Sequence, residues 1–403
     1  MTALLGVGPE DAAALCDEAR RDEVLVVARD ELSELRESLA DLVPASPVAE
    51  PVMRAVREQA GLTTMLPTED AAWVGEELAR RFGLPYWQFS LTATDANRWL
   101  LRMCRQVTRR PRVAVFNWCY HGSVDEAFVT LDGSREGNVG PMVDPAETTR
   151  VAEFNEVASV EAALAHGDVA CLLMEPALTN IGIVLPEPGF LDAVRELCTR
   201  HGTLLIIDET HTFSAGPGGC TAAWGLEPDA ISLGKSIAGG VPIGAYGVSA
   251  DLAERIAAEE DADYEDTGGV GGTLAGNALS LAAARAALGE VLTPAAFERM
   301  SALRERFVAG VEAALERHSV PWSIVSLGAR AEYRFAAEPP RTGAESAAAA
   351  DREVEEYLHL FLLNRGVLIT PFHNMALTCP ATTEEQVDRH TEAFTAAVEE
   401  LAP

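Results

Sequence analysis

Six short apolar runs, at 87–91, 112–116, 169–174, 203–207, 230–233 and 243–248, alternate with helical patterns at 95–107, 159–165 and 190–201. In most of these runs apolar residues follow one another instead of appearing at every second position, so the strands they predict are buried on both faces. Strands of that kind, separated by amphipathic helices, form a mostly parallel sheet covered on both sides. The fold class expected is α/β, and it fixes where chemistry should sit: at the carboxyl ends of the strands.

Outside this stretch the pattern changes. Residues 10–43 are acidic and helical, with no glycine or proline between Pro9 and Pro44, and a second helix is predicted at 48–59. A third fills 69–81 and stops at Gly83, a C-cap glycine. Beyond about 290 come a long helix at 294–318, strands at 322–327 and 332–335, a loop leading into a helix over 338–350, a helix at 351–364, a strand at 367–370 and a helix at 384–401. A chain of 403 residues exceeds one small core. The expected organisation is a helical segment 1–45, a large α/β domain 46–290 and a small α+β domain 291–403.

The formal net charge of −31 argues against nucleic acid and anionic membranes as partners. No apolar run approaches the ~20 residues of a membrane helix. The seven cysteines are scattered, none spaced as C-x-x-C, and the first residues lack the basic-then-apolar pattern of a signal peptide. Reduced thiols in a cytoplasmic protein are therefore expected. No HExxH or metal-spaced His/Cys set occurs, so no metal is expected.

Of 31 basic residues only Lys235 is a lysine. Arginine supplies charge but stays protonated, whereas a lysine amine can lose its proton and attack a carbonyl, as in Schiff-base chemistry. A background that replaces lysine by arginine would also leave a lone survivor, so the neighbours decide. Lys235 lies just beyond the strand 230–233. Asp208 ends the strand before it, Glu175 follows strand 169–174, and Thr94-Asp95 sits between strand 87–91 and a helix. An amine, carboxylates and a helix N-terminus thus share one sheet edge. Gly234-Lys235-Ser236 is not a P-loop, because position 229 is Asp where that motif needs Gly, and the cluster at 268–272 fails G-x-G-x-x-G because position 274 is Leu. The set suits pyridoxal phosphate, which needs a lysine, a carboxylate for its pyridine nitrogen and donors for its phosphate.

The stretches Leu205-Ile206-Ile207-Asp208-Glu209, Gly216-Pro217-Gly218-Gly219, Pro228-Asp229 and Gly234-Lys235-Ser236-Ile237-Ala238-Gly239-Gly240-Val241-Pro242-Ile243-Gly244-Ala245 resemble class III aminotransferases, most closely the glutamate-1-semialdehyde aminomutase group. The resemblance covers roughly 46–400. It implies fold type I, pyridoxal 5'-phosphate bound through Lys235, and a homodimer with active sites shared between subunits. By the same resemblance Asp208 partners the pyridine nitrogen. Ala93 and Thr94, in Thr92-Ala93-Thr94-Asp95-Ala96-Asn97, match the phosphate turn, with Ala93 replacing a glycine and Asp95 a glutamate. Tyr120, in Tyr120-His121-Gly122, matches the tyrosine stacked on the ring, Asn180 the asparagine at its phenolic oxygen, and Thr273 the threonine that reaches the neighbouring subunit's phosphate.

Three departures bear on substrate. Thr210 stands where the family usually places valine under the ring, followed by His211, and the family's Gly-Phe-Arg element is shortened to Phe213-Ser214-Ala215. The usual N-terminal strand with its Asp-x-Asp-Gly turn is not recognisable before Ser46-Pro47. Finally, strand alternation puts Arg330, Glu332 and Arg334 on one face, either as a bidentate carboxylate site or as a solvated charged face. The activity expected is an aminotransferase that moves an amino group from an amine or amino acid, β- and ω-amino acids included, to a carbonyl acceptor. An aminomutase or a non-catalytic relative is the alternative.

Overall fold

A computed structural model describes residues 67–134, 144–259, 271–370 and 373–401, so the helices expected at 10–43 and 48–59 lie outside the described residues. The first described helix, α1 (Glu69–Phe82), starts at Thr68, whose side chain accepts from the Ala71 amide, and ends at Gly83, whose φ of 77° closes the last turn.

The main sheet has seven strands: β1 (Tyr86–Ser90), β2 (Arg112–Phe116), β3 (Thr149–Ala152), β4 (Val169–Met174), β5 (Leu204–Asp208), β6 (Ala230–Leu233) and β7 (Gly244–Val248), in the spatial order β1-β7-β6-β5-β4-β2-β3. The five strands from β6 to β3 run parallel, and β7 is antiparallel to both its neighbours. Strands β4 to β7 are buried at every position, as their almost continuous apolar sequence, broken only by Ser232 and the terminal Asp208, requires. Helices α2 (Ala93–Thr108), α3 (Val157–Leu164) and α4 (Phe190–His201) connect strands of the sheet and pack against it, with the shorter α5 (Gly219–Trp224) between β5 and β6 and α6 (Ala250–Ala257) after β7. The sheet differs from the sequence reading in one strand: β3, with a single β-branched apolar residue among four, carries too weak a pattern to stand out.

A second, antiparallel sheet is built from β8 (Ser323–Leu327), β9 (Arg330–Arg334) and β10 (Met375–Leu377). It packs with α8 (Pro294–His318), α9 (Arg352–Leu363) and α10 (Glu384–Leu401) around Phe307, Val311, Tyr333, Leu358, Phe394 and Val398. The strand expected at 367–370 is absent. That run leaves α9 through Gly366, with the Val367 amide bonded back to Leu362 O, and Leu368 stays 76% exposed. The ladder positions on β9 are taken instead by Met375 to Leu377, opposite Glu332 to Arg330. The core of the main sheet extends to Phe297 and Met300 and the second core begins at Leu303, so α8 contributes to both. Among the described residues no helix is long and apolar enough to cross a membrane.

Candidate active site at the carboxyl edge of the sheet

Strand β5 delivers Asp208 to the sheet edge, where it is buried yet still lines a cavity. Three donors hold its carboxylate: Asn97 Nδ2 of α2 at 3.0 Å and His121 Nδ1 at 2.9 Å on Oδ2, and the Thr210 amide at 3.0 Å on Oδ1. Burial alone would raise the Asp208 pKa, but the His121 bond and charge, with the Thr210 and Asn97 bonds, outweigh it and hold the carboxyl well below the usual range. Burial opposes charge on His121 too, yet the Cys119 sulfur and Asp208 push its pKa up to about 10. Asp208 is therefore ionised and His121 protonated at neutral pH. Glu175, at the end of β4, lines the same cavity, and its carboxylate accepts from the Thr179 amide and hydroxyl.

Strand β6 lies beside β5, with Ser232 opposite Asp208, and the chain then turns at Gly234 to present Lys235. Lys235 has a left-handed backbone, φ 50°, which costs a side-chain-bearing residue about 1 kcal/mol or more. Gly234 is required by close approach: a Cβ there would sit 2.8 Å from the Ala93 methyl. Lys235 opens to solvent through the cavity, and burial by the surrounding walls lowers its pKa below the ordinary lysine value. Asp208 and Glu175 pull it back up, and Arg330 pushes it down.

Helix α2 points its N-terminus at the same space. Thr92 caps it reciprocally with Asp95: the Thr92 hydroxyl oxygen accepts from the Asp95 amide at 3.1 Å, and its proton goes to Asp95 Oδ2 at 2.9 Å. The first intrahelical bond runs from the Ala96 amide to Thr92 O, which leaves the Ala93 and Thr94 amides for an external acceptor. Ala93 has a negative φ, so the methyl in place of a glycine hydrogen carries no backbone strain. Thr94 Oγ1 accepts from the Ser123 amide at 3.2 Å, beneath Gly122, whose φ of 79° and lack of a side chain make room for it.

Ala93, Thr94, Tyr120, Asp208, Thr210, His211 and Lys235 thus line one cavity of about 290 Å³. Tyr120 presents its ring there, 39% exposed. Asn180 and Thr273 do not line it. Asn180 is half-buried in the turn closed by the Leu178–Val184 bridge, and Thr273 is exposed on the turn before α7 (Ala278–Ala286). Arg330, Glu332 and Arg334 share a face, but it is not solvated: their exposures are 3%, 1% and 5%. Arg330 Nη1 lies 3.3 Å from His211 Nδ1. Arg334 turns away, donating to Ser346 O and lying 3.9 Å from Glu355. Asn97 and His121, the groups that hold Asp208, were not singled out from sequence. Their signal was present: Asn97 lies one helical turn beyond Thr94, and His121 immediately follows Tyr120. Glu209, next to Asp208, is not catalytic in its surroundings. Its buried carboxylate accepts from Thr212, Thr221 and the Cys220 amide and so folds the loop that carries His211. Among the described residues no group of three or more His, Cys, Asp or Glu is placed to hold a metal ion.

An amine and an ionised carboxylate face one cavity beside a helix N-terminus, at the carboxyl edge of a parallel sheet. Such an arrangement can support lysine-dependent carbonyl chemistry. The chain belongs to the class III aminotransferase family, whose model matches residues 48–398. It is 34% identical to glutamate-1-semialdehyde 2,1-aminomutase 2 of Brevibacillus brevis over 75% of this chain and 71% of that protein. It is 32% identical to glutamate-1-semialdehyde 2,1-aminomutase of Neisseria meningitidis over 86% and 82%. Among solved structures, a glutamate-1-semialdehyde aminomutase from Pseudomonas aeruginosa superposes with a TM-score of 0.82 at 50% identity, covering 89% of this chain and 81% of that one. An omega-transaminase from Sphaerobacter thermophilus gives 0.76 at 28%, covering 88% and 83%. The fold is that of the fold type I pyridoxal-phosphate-dependent transferases.

Proposed function

We propose that this chain is a pyridoxal-phosphate-dependent aminotransferase that takes an amino group from an amine or amino acid, β- and ω-amino acids included, and delivers it to a keto acid or aldehyde. The observation that carries the reading is the pairing of Lys235 and Asp208 on one cavity, one amine with a lowered pKa and one carboxylate kept ionised by three donors. The residues fit the cofactor: the Ala93 and Thr94 amides are open to a phosphate, Tyr120 offers a ring face, and Asp208 faces the cavity with its charge intact. When bound, pyridoxal phosphate supplies an aldehyde that takes up amines and a protonated ring that draws electrons from the bond being broken.

The protein's part follows from its own groups. Asp208 holds a proton at the ring nitrogen, and His121 and Asn97 keep its carboxylate aimed. Lys235 Nζ, whose surroundings disfavour its charge, takes a proton from the substrate carbon and returns it elsewhere. Thr210 and Tyr120, on the cavity wall, would flank the ring, whereas Asn180, off the cavity, is assigned to its phenolic oxygen by the family resemblance alone. Thr273, exposed in one chain, would reach the phosphate of a partner subunit in a homodimer with shared sites. The buried thiols Cys104, Cys171, Cys198 and Cys220 support a reducing, cytoplasmic setting.

A second reading, an aminomutase that moves the amino group within one molecule, is favoured by the names of the relatives. The two separate on co-substrate. With a panel of amino donors and pure holoenzyme, product should exceed one equivalent per site only when a keto acid or aldehyde acceptor is added. Isomerisation of an amino aldehyde with no acceptor present would replace the aminotransferase reading by the aminomutase.

A further inference from the structure

We propose that Arg330 is the specificity-determining anchor for a substrate carboxylate, so that this enzyme takes amino acids in preference to simple amines. The inference rests on the amino-transfer reading and names the substrate class of that site.

Arg330 is the first residue of β9 and is almost wholly buried. Its neighbours leave it short of partners. Nη1 reaches His211 Nδ1 at 3.3 Å, Nε has no partner, and among the described residues no carboxylate lies within ion-pair distance of the guanidinium. The other buried arginines are satisfied differently. Arg81 bonds Glu77 and the carbonyls of Pro217, Leu288 and Leu292; Arg334, whose Nε also lacks a partner, bonds Ser346 O and has the Glu355 carboxylate at ion-pair distance. A buried cation with no bonded anion is costly, and its surplus donors match the two oxygens of a carboxylate.

The fold places this cation directly behind the cavity wall: Arg330 does not itself line the cavity, but its partner His211 does, and the guanidinium is near enough to Lys235 to push that amine's pKa down. The Ala329 amide donates to Ser214 O at 2.9 Å, and Gly328, φ 55°, approaches Ser214 so closely that a Cβ would lie 2.2 Å from its carbonyl oxygen. The small sheet is thereby stitched to the loop just beyond His211, a cavity wall, at the point where the family's arginine-bearing element is shortened to Phe213-Ser214-Ala215. Arg304 Nε, donating to Gly328 O at 3.0 Å, holds the junction from α8. Burial, with Lys235 and Arg330 nearby, keeps the His211 pKa low, so its ring stays neutral and can accept from Arg330. Glu175 is near enough to act on Arg330 electrostatically, but it is bonded to Thr179 and forms no ion pair with Arg330.

The test uses carbonyl reagents, so it does not need the natural substrate. Holoenzyme is treated with aminooxyacetate, 3-aminooxypropionate and 4-aminooxybutyrate, and in parallel with methoxyamine, which lacks the carboxylate; the cofactor's absorption change gives each rate. At least one acid should react about tenfold or more faster than methoxyamine, and in Arg330→Gln that ratio should fall to near one. The chain length of the preferred acid measures the spacing between amino group and carboxylate. A ratio near one for every acid in the wild type, or a ratio that survives Arg330→Gln, overturns the proposal. If the glutamine variant does not fold, Arg330→Lys should cut the ratio several-fold, because a point charge replaces the fork; an unchanged ratio there overturns it equally. A cofactor spectrum that responds to none of the reagents overturns the amino-transfer reading, and this inference with it.

Discussion

Replacing Lys235 by arginine is expected to abolish turnover, by about four orders of magnitude or more, while leaving the protein folded. The step that needs position 235 is a proton transfer by a neutral amine, and Lys235 is prepared for it: burial lowers its pKa against the opposing pull of Asp208 and Glu175. A guanidinium remains protonated in the same surroundings and cannot do this. The backbone gives no alternative explanation, since the φ of 50° at this position is as accessible to arginine as to lysine. Circular dichroism should be unchanged, and single-turnover amino transfer from any accepted donor should be lost.

Asp208→Asn should be the next most damaging change, lowering kcat by about 10²–10⁴-fold with weaker cofactor retention. The amide keeps the shape of the carboxylate and an acceptor oxygen, but it removes the charge that holds a proton at the ring nitrogen. A second signature lies in the pH dependence of stability. His121 has a folded pKa of about 10, above its unfolded value, so its contribution is fully present below about pH 6.5 and is lost as pH rises through about 10. Asp208 is depressed, so its contribution is present above about pH 4 and is lost as pH falls below that. The pair therefore stabilises the wild type most between those limits, with a decline toward alkaline pH. In Asp208→Asn, Tm measured across that range should show a shallower alkaline decline, because His121 no longer faces the carboxylate's negative charge. An identical slope in both proteins would contradict the assignment of the ion pair.

Much of the fold was legible because its signals are local. Strands 112–116, 169–174 and 230–233 are unbroken or nearly unbroken apolar runs, and helices 190–201, 294–318 and 384–401 carry their own periodicity and end signals; all six are found with the bounds expected. Among the strands misread, two have a pattern that does not follow burial: β3 is four residues with one β-branched apolar side chain, and 367–370 looks like a strand while Leu368 faces solvent. In the site, Lys235 and Asp208 could be seen because each follows a strand. What holds Asp208 had only an indirect signal, beside Thr94 and Tyr120, because His121 and Asn97 lie 87 and 111 residues away in sequence and meet it only through the sheet order. Alternation along β9 put Arg330 and Arg334 on one face, but only the tertiary contacts separate the one beside His211 from the one fixed on Ser346.

The central claim is that one lysine carries the cofactor. Borohydride reduction of the holoenzyme, followed by digestion and mass mapping, tests it most directly. The account predicts a single adduct, of the mass of reduced pyridoxal phosphate, on the peptide that contains Lys235. An adduct on any other residue, or none on a protein that retains the cofactor's absorption, would contradict it.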